Sequence, residues 1–377
     1  MFDVDSVLPY LIDKKLIDAD AVIDGSLVIT SVARRNRNLR VDASTGGCLI
    51  KQPDDPINNG CYTLSAEAKF YSFCQQEAGA AAILEFLPRL AFFDPERSLL
   101  ALELLSGAVP LWSLLWEGGP RVPPVTVGHR LGRALGIVHR TFRDPNVLFA
   151  PALSWLPTDA PWIMSVHRPD PHVLATISAA NYQTLRVIQK EQQLGESLGR
   201  LKETWLPQTV IHGDMKSDNI LVDRSPAPTS DSGGETVHFV DWEVVQRGDP
   251  AWDVAGVFQD AVLFWIYSMS MGNKTAGAIA ASAQVPWTVV QAYLRSFWRG
   301  YRQAAGLSVT EANATLLRAV AFSGARLIQT AYEVSQTSDA VPPQAALLLQ
   351  VSANLLSDAE SSQIQFYGIP QSFRSSS

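Results

Sequence analysis

The chain has 377 residues, of which 47% are hydrophobic and 18% charged. This composition supplies apolar material for one or two packed cores and excludes general disorder. The net charge of −7 excludes a wholly basic nucleic-acid binder, and three cysteines (Cys48, Cys61, Cys74) with no C-x-x-C pair exclude a disulfide scaffold or a Cys-rich zinc site.

Free thiols fit a reducing cytoplasm. The start, MFDVDSVLPY, is acidic where a signal peptide would be basic, so a cytoplasmic protein is expected. The best candidate for a membrane span, 251–271, contains Asp253, Gln259 and Asp260 and reads instead as a buried helix. No membrane or nucleic-acid partner is expected.

In chain order, LVIT (27–30) and LRV (39–41) flank a polar stretch, and CLIK (48–51) follows a Gly-Gly turn. Residues 64–77 read as a helix with Leu64, Ala68, Tyr71 and Phe73 on its apolar side. RLAFF (89–93) and LLALELL (99–105) are strands split by the turn Asp94-Pro95-Glu96. The expectation is a small antiparallel sheet with one helix packed on it. Beyond about 110 the pattern is helical. Val127, Leu131, Leu135, Val138 and Phe142 recur at helix spacing, and 172–204, 251–270, 287–304, 310–334 and 342–359 are further helical stretches. ILV (220–222) and VHFV (237–240) interrupt this region as a predicted hairpin, joined by a solvated loop over 223–236.

The hairpin carries the chemistry. Asn219 precedes its first strand and Asp241 follows its second, so antiparallel pairing makes them neighbours. An amide oxygen beside a carboxylate is a hard oxygen site suited to Mg²⁺, which completes its shell with water and phosphate. Asp214, five residues before Asn219, can face the same phosphate without ligating the metal. Phosphoryl transfer needs such a set: metal ions on the phosphates and a separate carboxylate that accepts the proton of the attacking hydroxyl. Helix capping and turn chemistry are the bland alternative for these three residues.

The stretches IHGDMKSDNILVD (211–223) and VHFVDWE (237–243) resemble the aminoglycoside phosphotransferases, choline kinases and their relatives. The resemblance implies an α+β, bilobal protein-kinase-like fold: a β-rich N-lobe over 1–105 that binds nucleotide, and a helical C-lobe over 106–377 with the catalytic loop, metal site and acceptor site. It implies ATP and Mg²⁺ as cofactors, Asp214 as base, and Asn219 and Asp241 as metal ligands. Lys51, in GCLIKQP, matches the lysine that pairs with the α- and β-phosphates, and Glu67, in LSAEAKF, the helix glutamate that holds it. Glu103-Leu104-Leu105 resembles the hinge, where the backbone of Glu103 and Leu105 would hold adenine. In GDPAWD, one aspartate of Asp249 and Asp253 braces the catalytic loop, although Asp253 could equally cap a helix. Glu243 either assists the metal or is solvated, and His212 takes a structural hydrogen-bonding role.

Two departures stand out. The phosphate-covering stretch 31–41 has no glycine but four arginines, Arg34, Arg35, Arg37 and Arg40, with Asn36 at a Ser-Asn-like position. At least one arginine, represented by Arg35, is expected to contact nucleotide, a solvated or partner-gripping patch being the alternative. Lys216 makes the D-x-K pattern of Ser/Thr protein kinases, in which the lysine neutralises the transferred phosphate. That directs the expected acceptor to a Ser or Thr hydroxyl of a peptide in a natural-product, lanthipeptide-like pathway, with a partner protein of that pathway conceivable. A small-molecule kinase for an aminoglycoside, amino alcohol or sugar, and a nucleotide-binding pseudokinase scaffold, are the alternatives.

Overall fold

The computed structural model describes residues 2–32, 37–44, 46–53, 60–174, 176–223, 236–272 and 275–371. Its strands are β1 (Val28–Ser31), β2 (Arg37–Ala43), β3 (Gly46–Gln52), β4 (Leu90–Asp94), β5 (Leu99–Glu103), β6 (Ala108–Pro110), β7 (Thr209–Ile211), β8 (Ile220–Asp223), β9 (Thr236–Phe239) and β10 (Gln246–Gly248). The helices that matter for the site are α1 (Gly60–Gln76), α2 (Val125–Thr141), α3 (Pro250–Tyr267), α4 (Trp287–Ala304) and α5 (Val309–Val334). Two compact units group residues 1–110, 144–156 and 219–245 in one, and 111–143, 157–218 and 246–377 in the other.

The first unit is built on an antiparallel sheet in the order β1-β2-β3-β5-β4. Alternation decides its faces. Leu39 and Val41 of β2 and Cys48 and Ile50 of β3 point into a core completed by Val7, Tyr10 and Leu11 of a short helix, Val7–Asp13. The sequence reading had one helix on this sheet and missed this second one. Seven residues give too little periodicity to separate a helix from a loop, and the sheet's apolar face is what holds it. Lys51, next to Ile50, emerges on the opposite face and meets α1, whose Leu64, Ala68, Phe70 and Tyr71 are buried. The predicted hairpin is present: β8 pairs with β9 with Ile220 opposite Phe239, and β6 adds a third strand. The joining segment 224–235 lies outside the described residues.

The second unit is mostly helical. The predicted stretches at 287–304 and 310–334 coincide with α4 and α5, and 172–204 divides into Pro171–Leu174, Ala179–Lys190 and Gln192–Glu203. The three-residue pair β7 and β10 was not foreseen, since such short runs carry no periodic signal. α3 buries Ala251, Trp252, Val254, Ala255, Val257 and Phe258 almost all round, as its uniform hydrophobicity requires. Among the described residues no helix is long and apolar enough to cross a membrane. Antiparallel sheet in the N-terminal region and helices in the C-terminal region make this an α+β fold of the kind the resemblance implies.

Candidate functional site: an ammonium between two carboxylates and a braced loop

In the first unit, three residues far apart in sequence converge. Lys51 Nζ donates to both oxygens of Glu67, at 2.9 and 2.8 Å, and to Asp241 Oδ1 at 2.6 Å. Lys51 is 5% and Glu67 0% exposed. Burial opposes the ammonium's charge, but Glu67 and Asp241 outweigh it and hold Lys51 above the usual lysine range. Burial pushes the Glu67 carboxyl up to about 7, against the pull of Lys51, with Asp241 and Glu243 adding repulsion. The strand and helix foreseen for this pair place it as expected. The contact with Asp241, 190 positions away, was not foreseen.

Asp241 sits where β9 ends, with φ +68°, a left-handed backbone that aspartate tolerates better than most residues. Its neighbour Trp242 is fully buried, stacks on Phe70 of α1 at 4.3 Å, and donates through Nε1 to Phe239 O. The tryptophan of D-W-E thus ties the hairpin's end to the helix that carries Glu67. Asn219 is 5% exposed at the start of β8, and Val240 N–H donates to its carbonyl at 3.0 Å, so the two hairpin ends are neighbours. The donor set, an amide oxygen and a carboxylate with Glu243 nearby, fits a hard divalent cation. Among the described residues no group of three or more His, Cys, Asp or Glu could hold a metal unaided, and Mg²⁺ needs only one or two protein carboxylates plus phosphate.

Glu103 ends β5, its N–H donating to Arg89 O at 2.8 Å; Leu104 N–H bonds Gly47 O and Leu105 O accepts from Ala108 N–H. Of the four arginines, Arg37 and Arg40 belong to β2, and Arg40 is paired with Asp42 at 2.7 and 3.0 Å. Arg34, Arg35 and Asn36 lie outside the described residues.

In the second unit, the loop after β7 carries Asp214. Gly213 has φ +84°, a conformation that glycine adopts without strain. Lys216 Nζ is 2.5 Å from Asp214 Oδ2, and Arg326 Nη2 is 3.8 Å from Asp214 Oδ1. Burial would raise the Asp214 carboxyl, but Lys216 and then Arg326 outweigh it and hold it below the usual carboxylate range. Asp214 is therefore an ionised acceptor at neutral pH.

Asp253 resolves the choice between bracing and capping. The N-cap of α3 is Asp249, whose side chain accepts from Ala251 N–H and pairs with Arg318. Asp253, fully buried, accepts from His212 N–H at 2.7 Å and Gly213 N–H at 3.0 Å, and lies 3.2 Å from His139 Nε2. Tyr301 OH completes this chain on His139 Nδ1 at 2.9 Å. Burial opposes its charge, but His139 and the backbone donors hold the Asp253 carboxyl below its usual range. His212 is fully buried, and its Nδ1 accepts from Asp214 N–H at 3.3 Å, the kind of contact a structural hydrogen-bonding role requires.

Sequence reasoning missed Arg326 entirely. It is 5% exposed on α5, lies over the Trp252 ring at 4.9 Å, and donates to Gly213 O at 3.2 Å and Met215 O at 3.3 Å. Its only trace in the sequence is a single cation within the apolar helix AVAFSGARLIQTA.

Residues 117–293, just under half of the chain, match the model of the phosphotransferase enzyme family (APH). The match takes in Asp214, Lys216, Asn219 and Asp241, so the family resemblance drawn from the motifs stands. No curated protein matches the sequence. Among solved structures, the chain is similar to an ethanolamine kinase of Plasmodium vivax (12% identity, 94% of this chain and 88% of that one covered, TM-score 0.51). It is also similar to a choline kinase of Cryptosporidium parvum (10% identity, 98% of both chains covered, TM-score 0.53). At these identities the likeness is one of fold, which is the protein-kinase-like α+β fold that the motifs imply.

Proposed function

We propose that the protein is an ATP-dependent kinase that transfers the γ-phosphate to the hydroxyl of a small molecule. The observation that carries this reading is the cluster of buried Lys51 and Glu67 with half-buried Asp241. A structural protein has no use for an ammonium flanked by two carboxylates, one of them on a strained backbone, because desolvating such a group is costly. A kinase needs this ammonium held ready for phosphate, with Glu67 retaining it while Asp241 turns to other partners.

Asn219 and Asp241 would hold Mg²⁺, which when bound would neutralise charge on the phosphates. Lys51 would bind the α- and β-phosphates, and the backbone of Glu103 and Leu105 the adenine. Asp214, ionised at neutral pH, would accept the acceptor hydroxyl's proton. Lys216, beside it, would stabilise charge on the transferred group. The matched family and the small-molecule kinases of the same fold favour a metabolite as acceptor. Partly exposed aromatic rings adjoin the loop: Trp112, whose backbone N–H donates to Ser217 O at 3.2 Å, has its ring 5.6 Å from that of Trp116 and 6.5 Å from that of Tyr267. Such faces suit an organic ammonium, which favours an amino alcohol over a neutral sugar.

A second reading keeps the peptide hydroxyl as acceptor, and the 2.5 Å approach of Lys216 to Asp214 in a D-x-K sequence favours it. The test is transfer of labelled phosphate from ATP, with and without Mg²⁺, to amino alcohols, aminoglycosides, sugars and Ser/Thr peptides. Label on an amino alcohol is the expected result, and label on peptides alone would install the second reading. Nucleotide binding without transfer to any acceptor, or turnover to water, would leave a pseudokinase.

A further inference from the structure

The loop that presents Asp214 and Lys216 lies along one face of α3. Asp253, Gly256 and Asp260 occupy positions i, i+3 and i+7, which share a helix face. Asp253 takes the N–H groups of His212 and Gly213, just before Asp214. At Gly256 a Cβ would come within 2.3 Å of Met215 O, so the loop's middle rests directly on the helix backbone. Asp260 Oδ2 accepts from Ser217 N–H at 3.2 Å, just after Lys216. The resemblance implies Asp253 as a brace; Asp260 belongs to none of the motifs that carry the resemblance.

We propose that Asp260 is a positioning residue, the second of two anchors on α3 between which the base Asp214 and its partner Lys216 are held. The idea rests on the kinase reading above for its catalytic consequence, but not for the anchor itself. A loop tied only at His212 and Gly213 could pivot about Gly213, whose φ of +84° places no side chain in the way. Arg326 already holds the carbonyls of Gly213 and Met215; the tie at Ser217, which is 1% exposed, adds an anchor on the far side of Lys216 and limits that freedom further. The groups facing Asp260 are Asp218 of the loop, Arg326 of α5 and Tyr293 of α4. Withdrawal from water pushes the Asp260 carboxyl up to about 6. A half-buried carboxylate that accepts a main-chain N–H of this loop is more readily explained by what it holds than by stability.

The experiment pairs two variants of the full chain. Asp260→Leu removes the acceptor, whereas Asp260→Asn keeps a carbonyl oxygen that can take the Ser217 N–H. With the acceptor found above, Asp260→Leu should lower kcat by about tenfold or more while KM for ATP stays within about twofold, and Asp260→Asn should recover most of that loss. Independently of activity, hydrogen exchange of the 212–218 amides should quicken in Asp260→Leu and stay near wild type in Asp260→Asn. Unchanged exchange in Asp260→Leu would overturn the anchor even if the protein proved not to be a kinase. A rise in KM for the acceptor alone, equal in both variants, would also overturn it, making Asp260 an acceptor contact. If Asp260→Leu does not fold, Asp260→Asn decides: loss of rate with faster 212–218 exchange means that an amide cannot serve and the anchor is ionic, while wild-type exchange with lost rate refutes positioning.

Discussion

The cluster around Lys51 and the loop around Asp214 hold their charges by opposite means. Lys51 is held by charge: among the described residues its ammonium bonds the carboxylates of Glu67 and Asp241. Asp214 is positioned largely through backbone: its loop is fastened by main-chain N–H and C=O groups to Asp253, Asp260 and Arg326. A side-chain cluster can exchange partners when phosphate and metal arrive. A loop tied by its main chain cannot move without breaking several hydrogen bonds together. On the proposed kinase reading, the adaptable part would serve nucleotide and metal and the rigid part the proton transfer.

The sharpest way to break this contrast is at Asp214, the proposed base. Asp214→Asn should leave ATP affinity, by calorimetry, within about twofold, yet lower kcat on the order of 10²–10⁴-fold. A collapse of ATP affinity would place Asp214 among the nucleotide ligands instead.

Next in size is the brace. Asp253→Ala strips three donors of a buried partner and should cost about 3–5 kcal/mol of stability in urea unfolding. A loss below about 1 kcal/mol would mean that the main-chain ties matter less than the geometry suggests.

The ion cluster should respond to pH up to about 7, beyond the value of about 6 for Asp260 beside the loop. The folded value for Glu67, about 7, lies above its ordinary 4.5, so the native state binds the extra proton between those values. The stability this contributes is full below about 4.5 and is lost as pH rises through 7. Thermal midpoints of the nucleotide-free protein should therefore fall across this window, and Glu67→Gln should flatten the decline. An identical slope in the variant would assign the titration to another group.

The smallest effect is expected on β2. Arg40 is spent on Asp42 in a half-exposed pair, so Arg40→Ala should change stability by less than about 1 kcal/mol and leave ATP affinity intact. A marked loss of ATP binding would bring Arg40 into the nucleotide site.

Much of this could be read from residue order because the information was local. The hairpin of 220–222 with 237–240 follows from two alternating runs, and it alone brings Asn219 beside Asp241. Lys51 and Glu67 were expected to pair because a strand followed by a helix puts them on facing surfaces, and they do, at 2.8 Å. The helices α4 and α5 were placed to within a residue by their long 3.6-residue periodicity, while the three-residue strands and the short N-terminal helix, which carry none, escaped.

What residue order could not supply were contacts whose partners have no local signature. Arg326 is an ordinary helical arginine until α5 brings it under the carbonyls of residues 213 and 215, more than a hundred positions earlier. Asp253 had the sequence of a cap, and only the fold showed Asp249 taking that place while Asp253 turned inward to His212. Asp260 differs from any charge on a helix only because Ser217 lies against it. Sequence determines spacing along an element, and hence periodicity, turns and which residues share a face. Which face meets which backbone depends on how whole elements pack, a choice made by the summed burial of many side chains and carried by none of these residues alone.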